Sequence, residues 1–210
     1  DVHGSRGLGD VYKRQMELIA EQTSYVVGLP SNERGLGGNP SPVTAFGVFS
    51  GLKAAVRRRF GADDMKGLTV AVQGLGAVGY GLCRYLHEDG ASLIVTDIRQ
   101  DVMDKAVSEF ERVKTVGLDE IFAVDADVFA PCAMGGALND DTIPQLKAGI
   151  IVGAANNQLA EVRHGEILAD KNILYVPDYV VNSGGVIACS YEYFDRVGLK
   201  PFDYELNKDT

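Results

Sequence analysis

The chain has little cysteine, a shortage of cations and no tryptophan. Its three cysteines, Cys83, Cys132 and Cys189, form no CxxC pair and no histidine-spaced cluster. Neither a zinc site nor a disulfide framework is therefore indicated, and no metal is expected. A reducing compartment fits that usage, so a cytoplasmic location is expected. Lysine and arginine total 20 against 29 carboxylates, giving a net charge of −9 and an isoelectric point near 4.8. A surface for nucleic-acid phosphates needs clustered cations, which excludes that class of partner. The one basic run, Arg57 to Arg59, reads as a solvated helix end whose cations face the C-terminal dipole. No stretch reaches the roughly 18 uncharged apolar residues of a membrane span. The first 15 residues lack a signal peptide's apolar centre. Neither a membrane role nor export is expected.

The 210 residues are 46% hydrophobic, enough to bury one substantial core with an appendage. Residues 1–15 show no periodicity and read as a tail of non-native character. An apolar and acidic helical pattern starts at Met16. A Gly, Pro, Asn and Ser-rich loop spans Gly28 to Pro42 and ends in a helix start, with Ser41 as cap and Pro42 in the first helical position. A helix over about 42–59 follows, with Val43, Phe46, Phe49 or Ser50, and Ala54 on one face. From Leu68 onward, short apolar runs alternate with longer amphipathic segments, as in a parallel sheet covered by helices. Strands are expected at Leu68–Gln73, Ser92–Thr96, Val128–Pro131, Ile150–Gly153 and Ile173–Val176. Helices are expected at Val78–Glu88, Gln100–Phe110, Ala160–Asp170 and Gly185–Arg196, with a short turn at Pro144–Lys147.

Gly74-Leu75-Gly76-Ala77-Val78-Gly79 follows the apolar run LTVAVQ and opens a helix carrying Tyr80, Leu82 and Leu86, the context that a dinucleotide fingerprint requires. Gly74 permits the tight turn, Gly76 lets the main chain approach a pyrophosphate, and Gly79 lets the helix pack closely on the strand. The amides at the helix N-terminus hold the anion. Asp97 ends the second strand 23 residues after Gly74, placed to accept bonds from ribose hydroxyls and to repel the extra phosphate of NADP. Arg99 keeps dual use open. The expected cofactor is NAD. The fold class that follows is α/β, a Rossmann-type doubly wound parallel sheet, preceded by part of an interdomain helix region.

Five segments in order, GNPSPVTAFGV (38–48), AVQGLGAVGYGLCRYLHEDGASLIVTD (71–97), FAPCAMGGALND (129–140), GAANNQLAE (153–161) and PDYVVNSGGVI (177–187), resemble the leucine dehydrogenase group of the Glu/Leu/Phe/Val amino-acid dehydrogenase family. The resemblance covers nearly everything from Met16 to about Glu192. It implies oxidative deamination of an L-amino acid to the 2-oxo acid and ammonia with reduction of NAD, the substrate lying between two domains. It divides the chain into the tail at 1–15, an interdomain loop and helix at 16–60, the NAD-binding domain at 61–200 and a truncated segment at 201–210.

Residue by residue, the resemblance assigns Gly74 to Gly79 to the pyrophosphate and Asp97 with Ile98 to the ribose. It places Cys132 and Ala133 near the cofactor's ribose. Asn156 or Asn157 matches an amide that reaches the nicotinamide or the substrate amine, and both remain candidates. Thr44 matches a threonine near the substrate pocket, and Val186 with Cys189 match apolar positions lining it. Each has a structural alternative: Cys132 as a small buried residue, the asparagines as turn formers, and Thr44 as a local helix cap. His87 and His164 are expected on solvated helix faces, and Tyr191, Tyr193 and Phe194 in packing.

The family's lysine base and carboxylate-holding lysine belong to a preceding domain and are not identified here, so no catalytic residue is assigned. The chain is expected to bind NAD without turning over alone, and the full-length protein to form a homo-oligomer. The substrate is expected to be an apolar, branched-chain amino acid. The alternatives are a glutamate or phenylalanine dehydrogenase, or a non-catalytic NAD-binding module.

Overall fold

The computed structural model describes residues 8–33 and 35–199, which fall into two compact units. Ser41–Gly184 forms the larger unit; the described residues before and after it form the smaller. The smaller opens with α1 (Leu8–Ala20). The larger runs through α2 (Ser41–Phe60), β1 (Thr69–Gln73), α3 (Ala77–Glu88), β2 (Ser92–Thr96), α4 (Gln100–Glu109), β3 (Val113–Thr115), β4 (Val128–Pro131), β5 (Ile150–Ile151), α5 (Arg163–Asp170), β6 (Leu174–Tyr175) and α6 (Asp178–Val181). Helix α7 (Gly184–Arg196) starts at its last residue. Single 3-10 turns occur at Glu120–Phe122 and Ile143–Gln145.

Six strands pair in parallel in the order β3-β2-β1-β4-β5-β6. Chain order runs outward in both directions from the β1–β4 pair, so a crevice opens at the carboxyl ends of those two strands. The side chains alternate between two cores. Val70, Val72, Val128, Ala130, Ile150 and Val152 pack beneath α2 and α3 with Leu52, Leu82, Leu86, Leu93 and Val95. Ala71, Phe129 and Ile151 face the opposite way, into Ile121, Leu138, Ile143 and Leu168. Burial on both faces is why β1 and β4 read as continuous apolar runs. Each fully buried large side chain in them, such as Phe129, stabilises the fold by about 1.5–3 kcal/mol.

Three features depart from expectation. The buried stripe of α2 is Ala45, Val48, Leu52, Ala55 and Val56, whereas Val43, Phe46 and Ala54 are exposed. Close packing on α3 selects small residues: a Cβ on Gly81 would stand 3.1 Å from that of Ala45. The larger rings act at the flank, Phe49 and Phe46 stacking on and edging Tyr85 at 5.4 and 5.8 Å. Strand β3 was not expected, because three residues at a sheet edge, only one of them inward, leave no apolar run. Helix α1 begins at Leu8, within the stretch read as a tail. Residues 1–7 and 201–210 lie outside the described residues.

In the smaller unit, Glu192 is buried on α7 and accepts the main-chain N–H groups of Gly28 and Leu29 at 2.8 and 2.9 Å. One turn later, the Arg196 guanidinium donates to the carbonyls of Ser24 and Val26. Tyr193 stacks on Tyr25 with ring centres 6.2 Å apart. Tyr193 also packs on Phe194, with ring centres 5.9 Å apart.

Candidate functional site

The turn from β1 into α3 is built from glycines that do three different things. Gly74 takes φ +95°, a region L side chains rarely adopt, and donates its N–H to the Thr96 carbonyl at 2.8 Å. A Cβ there would stand 2.9 Å from the Ala133 main chain. Gly79 is closer still: its Cβ would lie 2.0 Å from the Gly74 carbonyl oxygen and 3.1 Å from the Cys132 Cβ. That is the helix-on-strand contact expected of the third glycine. Around Gly76 nothing lies within 4 Å of a Cβ, and its φ of −66° is ordinary. No fold reason therefore keeps Gly76 bare. It caps α3 without a side-chain bond to the first turn, which leaves the leading amides of the helix aimed outward.

Asp97 closes the turn from the neighbouring strand. Its Oδ2 accepts the Leu75 N–H at 2.6 Å, and its Oδ1 accepts the Arg99 N–H at 2.9 Å, with the Arg99 Nε at 3.9 Å. The carboxylate is thereby fixed at the lip of a cleft of about 620 Å³ that starts at the β1–β4 crevice. Gly74, Gly76, Asp97, Ile98, Cys132 and Ala133 all line it, with Leu118, Phe122 and Met134. Ile98 and Met134, 84% and 81% exposed, offer apolar surface in the same cleft as the carboxylate. Leu75, Ala77 and Val78 are not among the residues lining the cleft, Leu75 being buried in the core. Among the described residues lining the cleft, none is lysine, histidine or tyrosine. This region can bind an anion and a flat apolar group, and the ionisable side chains lining it are Asp97, Arg99, Asp119 and Cys132. The Cys132 thiol is pushed up to about 11 by burial, so it is neutral there.

The loop after β5 borders the cleft: a Cβ on Gly135 would meet the Asn156 and Asn157 carbonyls at 2.7 and 3.0 Å. Buried Gln158 shapes it by donating to the Gly153 and Ala155 carbonyls at 2.8 and 3.0 Å. Asn157 takes φ +53°, gives its N–H to Asp178, and accepts the Gly136 N–H at 2.8 Å. Asn156 is exposed, and its Oδ1 accepts Asn182 Nδ2 at 2.7 Å. Gln158, Asp178 and Asn182 were missed in sequence. Only the PDYVVN string hinted at the last two, by placing an acid and an amide around a short helix.

Thr44, half-buried, lies in the first turn of α2 in the larger unit. Val186 and Cys189 lie on the part of α7 that belongs to the smaller one, with Val186 70% exposed. Burial raises the Cys189 thiol above its ordinary value. The histidine expectation needs correcting. His164 is buried; its Nδ1 accepts the Glu161 N–H at 2.9 Å, and its Nε2 faces Asp140 Oδ1 at 3.3 Å. It holds the turn just before α5, a contact that helical periodicity does not reveal. His87 is half-buried, its ring 5.3 Å from Phe110. Asp140, Glu161 and His164 gather ligand-type atoms within 4.8 Å, but Arg163 already bonds both carboxylates.

Comparison with known proteins agrees with this geometry. The Glutamate/Leucine/Phenylalanine/Valine dehydrogenase family matches residues 95–204, just over half of the chain. The chain belongs to that family. It is 54% identical over 179 residues to a leucine dehydrogenase of Geobacillus stearothermophilus, covering 85% of this chain and 48% of that protein. Among solved structures, L-tryptophan dehydrogenase from Nostoc punctiforme superposes with a TM-score of 0.76 at 44% identity, over 89% of this chain and 52% of that one. The hetero-hexameric glutamate dehydrogenase from Thermus thermophilus, in its Leu-bound form, gives 0.68 at 26% identity, over 90% and 50%. The chain thus spans about half the length of the amino-acid dehydrogenases it matches.

Proposed function

We propose that this chain supplies the NAD-binding half of an enzyme that oxidatively deaminates an apolar, branched-chain L-amino acid to the 2-oxo acid and ammonia. The observation carrying the cofactor reading is Gly76: an ordinary backbone conformation with free space above it, at the uncapped start of α3, opposite a fixed carboxylate. A residue there has no packing reason to be glycine, whereas a phosphate approaching the main chain supplies one. Gly74 to Gly79 would hold the pyrophosphate, Asp97 and Ile98 the adenine ribose, and Cys132 with Ala133 the wall opposite. When bound, NAD supplies the hydride acceptor for the substrate Cα.

The chain's own residues bind, orient and exclude water. The α3 amides and dipole neutralise phosphate charge. Asp97 favours NAD because its carboxylate would repel a ribose phosphate, while Ile98, Leu118 and Met134 offer apolar cover. Thr44, Val186 and Cys189 are proposed for the substrate side. The apolar pair carries no cation for a side-chain carboxylate, which favours a leucine-like over a glutamate-like substrate. That preference agrees with the Geobacillus relative being a leucine dehydrogenase. The complete protein is proposed to be oligomeric, as the hetero-hexameric Thermus protein is. Among the described residues, no helix is long and apolar enough to cross a membrane.

The reaction is tested by joining this chain to the first half of the Geobacillus relative. NADH formation is then followed with leucine, valine, phenylalanine, tryptophan and glutamate. The chain alone is expected to be inactive and the joined protein to prefer branched aliphatic substrates. Activity confined to glutamate, or no activity with any of the five from a folded, NAD-binding chimera, would overturn the substrate and reaction reading.

A further inference from the structure

The chain carries sulfur in three cysteines and four methionines. Cys83 and Met65 are fully buried, and Met103 packs partly buried against the larger core. Met16, Cys132 and Cys189 are half-buried. Met134 differs: it is 81% exposed and lines the cleft at the β1–β4 crevice, together with Ile98, Leu118 and Phe122. Its main chain is held on both sides. A Cβ on Gly74 would meet that of Ala133, the residue before it, at 2.8 Å, and a Cβ on Gly135, the residue after it, would meet the Asn156 carbonyl oxygen at 2.7 Å. Backbone packed this closely leaves no room to draw residue 134 away from the cleft. Peroxides ordinarily reach cysteine before methionine, because the thiolate is the stronger nucleophile. That order is suppressed here. Burial pushes the Cys132 thiol up to about 11 and holds Cys83 and Cys189 above their ordinary value, so all three are protonated at neutral pH. A thioether has no proton to lose, and its reactivity depends on access.

From this we propose that Met134 is an oxidation site through which hydrogen peroxide weakens nucleotide binding in the cleft. The inference rests on the cofactor reading above and adds a regulation of that site. A lone pair of the Met134 sulfur attacks one peroxide oxygen, and the O–O bond breaks as the S–O bond forms. Sulfur is oxidised by two electrons, and the departing oxygen takes the proton of the attacked one and leaves as water. The product carries a polar S=O group in place of an apolar sulfur. The apolar cover offered by Ile98, Leu118 and Met134 is then broken, and a strongly polar oxygen must be desolvated whenever the cleft is filled. Reductases for the two sulfoxide epimers reverse the step, with a dithiol oxidised to the disulfide as the sulfoxide oxygen leaves in water.

The test uses the whole 210-residue chain, hydrogen peroxide as oxidant and NAD as ligand. Wild type and Met134→Leu are treated at pH 7, and peptide mapping by mass spectrometry locates the added oxygen. Calorimetric titration then compares each protein with its own untreated sample. Met134 is expected to gain one oxygen at least about fivefold faster than buried Met65. Oxidised wild type should bind NAD roughly 2- to 10-fold more weakly than untreated wild type, and treatment with both reductases should restore it. Its melting temperature should stay within about 2 °C, because an exposed side chain contributes little to packing. Met134→Leu should show no change on treatment, whatever its own starting affinity. Oxygen added to Met65, Met103 or a cysteine ahead of Met134 would overturn the inference, as would an equal loss of affinity in treated Met134→Leu. Failure of the untreated wild type to bind NAD would overturn the cofactor reading and this regulation together. NAD binding that is unchanged once Met134 is oxidised would overturn this inference alone.

Discussion

Replacing Gly76 and Gly79 by alanine, one at a time, adds the same methyl group three residues apart and should produce opposite phenotypes. At Gly76, φ is −66° and a Cβ meets nothing within 4 Å. Alanine is a poorer N-cap than glycine by roughly 0.5–1 kcal/mol, while the stiffer unfolded chain returns about 0.4–1 kcal/mol. These nearly cancel, so the melting temperature should stay within about 3 °C. The methyl would, however, occupy the space through which a phosphate approaches the main chain. An overpacking cost of about 1–3 kcal/mol would then fall on the complex alone and weaken NAD about 5- to 150-fold. At Gly79 the Cβ would lie 2.0 Å from the Gly74 carbonyl oxygen, which is backbone and cannot rotate away. Helix propensity returns at most about 1 kcal/mol against a clash at or above the top of the 1–3 kcal/mol range. A net loss of about 2 kcal/mol lowers the melting point by about 4–8 °C in a chain of this size. Thermal melts and calorimetric titration of both variants read this out. Wild-type NAD affinity in Gly76→Ala, or an undisturbed melt in Gly79→Ala, would refute the division of labour drawn here.

Arg163 bonds Asp140 and holds its carboxyl down at about 2, below the ordinary 3.8. A carboxyl depressed in the folded state contributes stability that is complete above its ordinary value and is lost as pH falls towards 2. Arg163→Ala should raise Asp140 towards the ordinary range in an NMR titration, His164 still holding it partly down, and flatten the acid limb of the stability curve below about pH 4. Replacing Glu192 by alanine leaves the Gly28 and Leu29 amides without their acceptor. It should cost about 1–3 kcal/mol locally and speed hydrogen exchange across residues 24–29; unchanged exchange there would contradict the role given to Glu192. With its thiol near 11, Cys132 should resist alkylation at pH 8 and react only in strongly alkaline solution. Rapid labelling of Cys132 at neutral pH, located by mass spectrometry, would contradict the raised thiol.

Much of the sheet was legible because its strands are buried on both faces. Ser92–Thr96 and Val128–Pro131 stand where their apolar runs are, and the glycine turn sits between β1 and α3 as its spacing requires. What could not be read depends on contacts that leave no local pattern. Strand β3 is a polar three-residue edge. The inward face of α2 is decided by how closely α3 approaches, which favours Ala45 and Val48 over the larger Phe46. His164 lies on a short helix that looks solvated by periodicity, yet its ring is consumed by the turn before it. The candidate site divides in the same way. Gly74, Gly76, Gly79 and Asp97 follow from a local motif, whereas the partnership of Asn156 with Asn182 joins residues 26 positions apart. Such a pairing follows only from the placement of α6 beside the loop after β5.

The account's central claim is that the glycine turn and Asp97 bind NAD in preference to NADP. It is tested most directly by calorimetric titration of the chain with each cofactor, repeated on Asp97→Ala. The account predicts that NAD binds, that NADP binds at least about tenfold more weakly, and that Asp97→Ala weakens NAD while narrowing the gap between the two. Equal affinity for both cofactors in the wild type, or a preference untouched by the substitution, would contradict it.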